Sequence, residues 1–318
     1  MKAIVYTEYG SADVLKLKEL EKPAPKDNEV LIKVRAASTN PADWHLMRAE
    51  PFLARLANGI FGPKNTRLGS DLAGTVEAVG RNITQFQVGD EVFGSMPLDL
   101  LGSFAEYVCA PEELLALKPA KLTFEQAAAV PLAAFTALQG LRDKGKIRAG
   151  QKVLVNGASG GVGTFAVQIA KSYGTEVTGV CSTRNLEMVR SIGADHVVDY
   201  TKEDVTQSGQ RYDLIFDAVG NLSISDSKRL LSPDGICSVA GFTSLSLLFR
   251  LMLFGGKNIG LMETAKGNKK DLLFLKELLE SGKIVPVIDR AYPLSEVPEA
   301  ISYLEKGHAR GKVVVTVA

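Results

Sequence analysis

Val153–Leu154–Val155–Asn156–Gly157–Ala158–Ser159–Gly160–Gly161–Val162–Gly163 decides the fold of this chain. It reads as a short apolar strand, a glycine-rich turn and the start of a helix that runs from Thr164 to Tyr173. Only small residues let the backbone N–H groups of such a turn approach an anionic ligand at a helix N-terminus, where the dipole favours negative charge. In the dinucleotide fingerprint, glycines stand first, third and sixth. Ala158, Gly160 and Gly163 fit that frame, with alanine in the first place. Alanine turns tightly there if its φ stays negative. A strand before the turn and a helix after it favour a phosphate cradle over a plain strand-to-helix corner.

Outward from this turn the same unit repeats. Strands are predicted at Val153–Val155, Glu176–Cys181, His196–Val198, Leu214–Asp217 and Ile236–Ala240, and helices at Thr164–Tyr173, Leu186–Ile192 and Ser225–Leu231. Such alternation implies a parallel sheet covered on both faces, a doubly wound Rossmann sheet in an α/β protein. Residues 1 to about 120 differ, with short alternating runs such as Val30–Val34, Gly74–Gly80 and Glu91–Gly94. They predict a β-rich domain. Lys118–Pro119–Ala120 marks the boundary, and Thr123 with Gln126 has the spacing of a capping box. A helix over Lys270–Leu279, another over Pro298–Lys306 and a strand over Lys312–Val317 close the chain.

Composition narrows the function classes. With 318 residues there is room for two cores. Thirty-seven basic against 36 acidic residues leave a net charge of +1, which gives nucleic acid nothing to bind. Cys109, Cys181 and Cys237 are far apart and odd in number, which points to a reducing compartment and a cytoplasmic location. Met1–Lys2–Ala3–Ile4–Val5–Tyr6 reads as a first strand, not as a targeting peptide. Leu245–Phe254 is apolar but too short to span a membrane and carries Arg250. It reads as a helix over a pocket or in a subunit interface, and a homodimer is the expectation.

The second strand of the doubly wound region bears on the ligand. A site for NAD places an acidic residue at the end of that strand, on the ribose 2′-hydroxyl. Here the strand runs out as Cys181–Ser182–Thr183–Arg184–Asn185, with no carboxylate. Ser182 can donate to a 2′-phosphate and Arg184 can supply charge, so the reading favours NADPH. The plainer alternative is that Ser182 caps the next helix and Arg184 is solvated.

Further marks run along the whole chain. They are Asn40–Pro41–Ala42–Asp43, Gly69–Ser70–Asp71–Leu72–Ala73–Gly74, Val88–Gly94, Gly102–Tyr107, Pro131–Ala137, Ile192–Gly193–Ala194–Asp195, Tyr200 and Gly307–Lys312. Together with the glycine turn they resemble the zinc-independent quinone oxidoreductases of the medium-chain dehydrogenase/reductase superfamily. The likeness is greatest to the chloroplast-envelope quinone oxidoreductases and the reticulon-interacting mitochondrial NADPH oxidoreductases. The resemblance implies a GroES-like catalytic domain at 1–120, rejoined by 286–318, and a Rossmann NADPH-binding domain at 121–285. It implies that Ser159, Gly160, Gly161 and Val162 line the pyrophosphate, and that Ser182 and Tyr200 hold the 2′-phosphoribose. It places Thr136 and Phe242 near the nicotinamide, and His308, Ala309 and Arg310 over the cofactor. Zinc-dependent members carry Cys where Asn40 stands and His–Glu where Ser70–Asp71 stand, so no metal is expected.

The implied reaction is hydride transfer from NADPH to a quinone or an α,β-unsaturated carbonyl, a small-molecule partner. Without zinc, a carbonyl must be polarised by hydrogen-bond donors. Asn40 is the first candidate, through its amide NH₂, with Asp43 orienting Asn40 or a water. The plainer alternatives are a turn-forming Asn before Pro41 and a surface-turn carboxylate. Two rival readings remain: an NADPH-binding structural or interaction protein with little turnover, and a zinc alcohol dehydrogenase, which the missing ligands disfavour.

Overall fold

The computed structural model describes residues 1–50, 55, 58–241, 250–251 and 253–318. Phe242 and most of Leu245–Phe254 therefore lie outside the described residues. Contacts divide the chain into two units, Met1–Leu132 with Lys266–Glu280 and Pro286–Ala318, and Ala133–Ala265 with Ser281–Val285.

The first unit opens with an antiparallel pair, β1 (Lys2–Val5) and β2 (Lys16–Glu19). Then follow β3 (Glu29–Ser38), α1 (Pro41–Arg48), β4 (Asp71–Val79), β5 (Glu91–Ser95), β6 (Tyr107–Pro111) and β7 (Leu115–Leu117). Valine and isoleucine alternate along β3, which buries Val30, Ile32 and Val34 with Leu72, Val92 and Leu115 in one core. The helix α2 (Phe124–Ala128) starts at the foreseen capping box. Gln126 N donates to Thr123 Oγ1 at 3.2 Å, and Thr123 N donates to Gln126 Oε1 at 3.0 Å. Pro131, which has no N–H to donate, opens the separate helix α3 (Pro131–Gln139).

The second unit is built on β8 (Lys152–Asn156), α4 (Gly161–Ser172), β9 (Glu176–Cys181), α5 (Leu186–Ser191) and β10 (His196–Asp199). It continues through β11 (Tyr212–Asp217), α6 (Ile224–Leu230), β12 (Leu231–Val239) and β13 (Ile259–Leu261). Six strands lie in the order β10-β9-β8-β11-β12-β13, and every pairing is parallel. This is the doubly wound dinucleotide-binding order, with its switch point between β8 and β11. Val153, Leu154 and Val155 are fully buried, as a sheet covered on both faces requires.

The chain then returns to the first unit through α7 (Lys269–Glu280), β14 (Ile288–Pro293), α8 (Val297–Glu305) and β15 (Lys312–Thr316). Strand β15 pairs antiparallel with β3 and completes a seven-stranded sheet.

The unit boundaries differ from the sequence expectation in two places. Residues 121–132 and 266–280 belong to the first unit. Helix α2 packs on β3 and β4, and α7 on β7. Lys269 Nζ donates to the Leu115 carbonyl and lies 4.7 Å from the centre of the Phe86 ring. Which core an amphipathic helix joins depends on the partner of its apolar face, and local pattern does not carry that.

Gly163 is fixed by packing. A Cβ there would stand 2.0 Å from the Gly157 carbonyl oxygen. Gly163→Ala is predicted to cost about 3 kcal/mol in urea unfolding, the scale of a forced overpacking. Wild-type stability in that variant contradicts this close approach of helix to turn.

Candidate active site

Register brings a polar cluster together at one end of the first unit's sheet. Ser38, at the end of β3, pairs with Asp71, at the start of β4. Val314 of β15 pairs with Ser38 on its other side, and Thr39 N donates to the Val313 carbonyl at 2.9 Å. Asp71, Asn40 and Lys312 thus converge. Lys312 Nζ lies 2.6 Å from Asn40 Oδ1, 3.1 Å from the Thr39 carbonyl and 3.5 Å from Asp71 Oδ2. Asn40 Nδ2 donates to Asp71 Oδ2 at 3.0 Å and to Ser70 Oγ at 3.2 Å. The ammonium on one side and the carboxylate on the other fix which amide atom is oxygen. Asp71 also accepts from Ser38 Oγ at 3.0 Å and from Leu132 N at 2.9 Å. Burial pushes the Lys312 ammonium below its ordinary pKa, while Asp71 and Asp43 pull it back up.

Asp43 sits in the first turn of α1. Its Oδ2 accepts from Asn40 N at 2.8 Å and its Oδ1 from Gly69 N at 3.0 Å. Gly69 has φ +90° and leaves no room for a Cβ beside Ser103 and Phe104, so glycine is required there. Burial pushes the Asp43 carboxyl up to about 7, against the pull of those two N–H groups. Asp43 thus closes the first turn of α1 on the Asn40 backbone and ties it to Gly69.

The Asn40 amide nitrogen, foreseen as a donor, donates to Ser70 and Asp71, so both of its hydrogens are engaged within the cluster.

The second unit carries its own cluster at the carboxyl ends of its strands. Gly157 has φ +80° and makes the sharp bend, which is why alanine is tolerated at 158. Ala158 N donates to the Val180 carbonyl at 3.0 Å, anchoring the turn to β9. Ser159 and Gly160 follow, and Gly161 and Val162 open α4. Asn185 Nδ2 reaches Ser159 Oγ at 2.9 Å and Ser182 Oγ at 3.2 Å, joining the glycine turn to the end of β9. Arg184 lies in the same short turn, Thr183–Asn185. Tyr200 N donates to the Cys181 carbonyl at 3.1 Å, which puts Tyr200 at the same edge. Asn156, at the end of β8, donates to Asp217 at 2.8 Å and to Asn221 at 2.7 Å. Asp217, at the end of β11, accepts from the N–H groups of Val219, Gly220 and Leu222. A cavity of about 420 Å³ opens here, lined by Asn156, Val180, Tyr200, Asn221 and Leu222 among others. Ligands of doubly wound sheets bind at such carboxyl ends.

Comparison with known proteins fits these two halves. The "alcohol dehydrogenase GroES-like domain" family matches residues 26–120 and the "zinc-binding dehydrogenase" family residues 192–315. The chain is 38% identical over 335 residues to the "NADPH-dependent alkenal/one oxidoreductase, chloroplastic" of Arabidopsis thaliana, covering 99% of this chain and 79% of that one. It is 35% identical to the mouse (Mus musculus) "NAD(P)H oxidoreductase RTN4IP1, mitochondrial", covering 100% and 89%. The solved quinone oxidoreductase of Coxiella burnetii superposes with a TM-score of 0.89 at 33% identity, covering 100% and 99%. The chain belongs to the medium-chain dehydrogenase/reductases.

Some members of this superfamily hold zinc, and the residues here do not fit it. Among the described residues no group of three or more His, Cys, Asp and Glu side chains could hold a metal. In the polar cluster of the first unit an ammonium stands between the amide and the carboxylate. A divalent ion would meet a like charge there and lack thiolate or imidazole ligands.

The remaining foreseen residues fall in both units. Thr136 lies in α3 of the second unit. His308, Ala309 and Arg310 form the loop before β15 in the first, where Arg310 N donates to Asp289 Oδ2 at 2.9 Å. Sequence reasoning missed Lys312, Asn185 and Asp217. A lysine opening the apolar run Val313–Val314–Val315 reads as a solvated strand end. Only strand register reveals it as buried.

A carboxyl whose pKa is higher folded than unfolded binds its proton more tightly when folded. Its contribution to stability is then full below the ordinary value of 3.8 and is lost as pH rises through about 7. The stability difference between wild type and Asp43→Asn is predicted to move against wild type over that interval, read by urea denaturation. A difference that moves in favour of wild type contradicts the raised Asp43 pKa.

Proposed function

We propose that this chain is a zinc-independent, NADPH-dependent oxidoreductase that reduces quinones or α,β-unsaturated carbonyls. The observation that carries the reading is the open glycine turn at the carboxyl ends of a doubly wound sheet. At Gly160 the backbone φ is −82°, and a Cβ would meet nothing closer than the Gly157 carbonyl oxygen at 3.5 Å. The fold would accept a Cβ there at ordinary contact distance, so we read the glycine as serving the close approach of a ligand to the backbone. The names of the relatives from Arabidopsis and Coxiella supply the acceptor classes.

In this reading NADPH, when bound, supplies the hydride. Ser159, Gly160, Gly161 and Val162 present backbone and hydroxyl donors to its pyrophosphate at the start of α4. Ser182, Arg184 and Tyr200 take the 2′-phosphoribose. The carboxylate nearest that end, Asp199, is already occupied by Thr183 Oγ1 at 2.5 Å and Thr201 Oγ1 at 2.7 Å. It therefore does not compete for a ribose hydroxyl as an NAD site demands. Thr136 and Phe242 serve the nicotinamide end, and His308, Ala309 and Arg310 close over the cofactor. Asn40 and Asp43 organise the reacting end.

We further place the protein in the cytoplasm as a homodimer. Free Cys109, Cys181 and Cys237 suit a reducing compartment. Leu253 and Phe254 are exposed and apolar, as a subunit contact requires. No helix among the described residues is long and apolar enough to cross a membrane.

Oxidation of NADPH with quinones and enones tests the activity. Turnover that resists a chelator and prefers NADPH to NADH is expected. Tight NADPH binding with no acceptor reduced favours a binding protein instead. Gly160→Ala is predicted to melt as wild type does while its NADPH affinity falls at least about tenfold, since a methyl group displaces a phosphate contact. Unchanged affinity removes the turn from the cofactor site. Arg184→Ala is predicted to cut the preference for NADPH over NADH about tenfold, the worth of one charge-assisted hydrogen bond. An unchanged preference removes Arg184 from the phosphate.

A further inference from the structure

The cluster around Lys312 contains one donor with no acceptor. Three acceptors surround the Lys312 ammonium: Asn40 Oδ1, the Thr39 carbonyl and Asp71 Oδ2. The two amide hydrogens of Asn40 serve Asp71 and Ser70, with the Ser38 carbonyl at 3.4 Å as a further neighbour. The Ser38 hydroxyl donates to Asp71. The N–H groups of Leu132, Asn40 and Gly69 donate to Asp71 and Asp43. Ser70 differs. Its Oγ accepts from Asn40, and among the described residues that is the only hydrogen bond of its side chain. A hydroxyl carries one donor hydrogen besides its acceptor sites, so the Ser70 hydrogen is left over.

We propose that the Ser70 hydroxyl is the hydrogen-bond donor to the carbonyl oxygen of the acceptor, polarised by the buried Lys312 ammonium through the Asn40 amide. The inference rests on the reading of this cluster as the reacting end of a reductase. The ammonium draws electron density toward Asn40 Oδ1, which makes the Asn40 NH₂ a stronger donor. That group in turn draws on Ser70 Oγ, which makes the Ser70 O–H a stronger donor. Hydrogen bonds in such a chain reinforce one another in a low-dielectric interior. Asp71 balances the charge of Lys312 and takes the other amide hydrogen, so the chain has one direction and one free end. Asp71 is fully buried, and Asn40 and Ser70 are each 4% exposed, so the cluster is closed on the Asp71 side and Ser70 holds its one uncommitted hydrogen.

The chemistry balances without proton transfer from serine. The acceptor gains a hydride with its electron pair, and its oxygen gathers negative charge. The Ser70 O–H holds that charge by a hydrogen bond and remains a hydroxyl. The proton that completes the saturated ketone, at the α-carbon of the enolate, or the hydroquinone, at its oxygen, comes from water. Ser70 is then a catalytic residue, and Asn40 and Lys312 are positioning residues that act through it.

Steady-state kinetics on Ser70→Ala and Ser70→Thr test this. Ser70→Ala is expected to lower kcat for an enone about 100-fold, the typical loss of one oxyanion donor, with KM for NADPH unchanged. The loss is expected to be smaller for a strongly electron-poor quinone, whose reduced oxygen needs less help. Ser70→Thr, which keeps the hydroxyl, is expected to recover the activity. Lys312→Met, assayed at a temperature where its thermal melt shows it folded, is expected to lower kcat for the enone more than for the quinone. Equal kcat in Ser70→Ala and wild type, or an equal loss on both acceptor classes, overturns the inference. An equal loss on both acceptor classes in folded Lys312→Met, or none, overturns the relay. A wild type that reduces no acceptor overturns the reductase reading and this inference with it.

Discussion

A carboxylate with no exposure to water has to be neutralised where it stands, and Asp71 imposes that demand on the first unit. Lys312 supplies the charge, and Ser38, Asn40 and Leu132 supply hydrogen bonds. These groups come from the ends of β3, β4 and β15 and from the start of α3. The charge pair thus holds three strand ends in one register. Breaking a buried pair by deleting one partner costs far more than the pair contributes, so the arrangement is specified tightly. The same arrangement links Lys312, Asn40 and Ser70 in one run of hydrogen bonds.

The second unit solves a different problem. There the turns after the strands are held by side chains. Asp217 collects the N–H groups of the turn that follows β11, and Asn156 ties that turn back to β8. Asn185 does the same between the glycine turn and the end of β9. Side-chain amides and one carboxylate take the place of a longer sheet. The glycines divide the labour: Gly157 bends the chain and Gly163 lets the helix approach the turn.

Much of this was legible in the sequence. The strand–turn–helix at 153–163, the repeated strand–helix units and the capping box at Thr123 and Gln126 each follow from local pattern and appear as read. The glycine turn was legible because it depends on consecutive residues. The polar cluster of the first unit was only half legible. Asn40 and Asp43 are neighbours in sequence, and their link is a helix-start contact. Lys312 lies 272 residues from Asn40 and meets it only through strand pairing. Ser70 looked like a vacant ligand position until the donors around it could be counted. Helices α2 and α7 were found, but the core each joins was set by tertiary contact.

The most direct test of the account is the fate of the transferred hydrogen. Chelator-treated protein would be given NADPH deuterated at C4 and an α,β-unsaturated ketone, and the product analysed by mass spectrometry. The account predicts one deuterium per product molecule, carried on the β-carbon, from one of the two C4 faces. Consumption of NADPH with no deuterium in the product would contradict hydride transfer as the reaction of this fold.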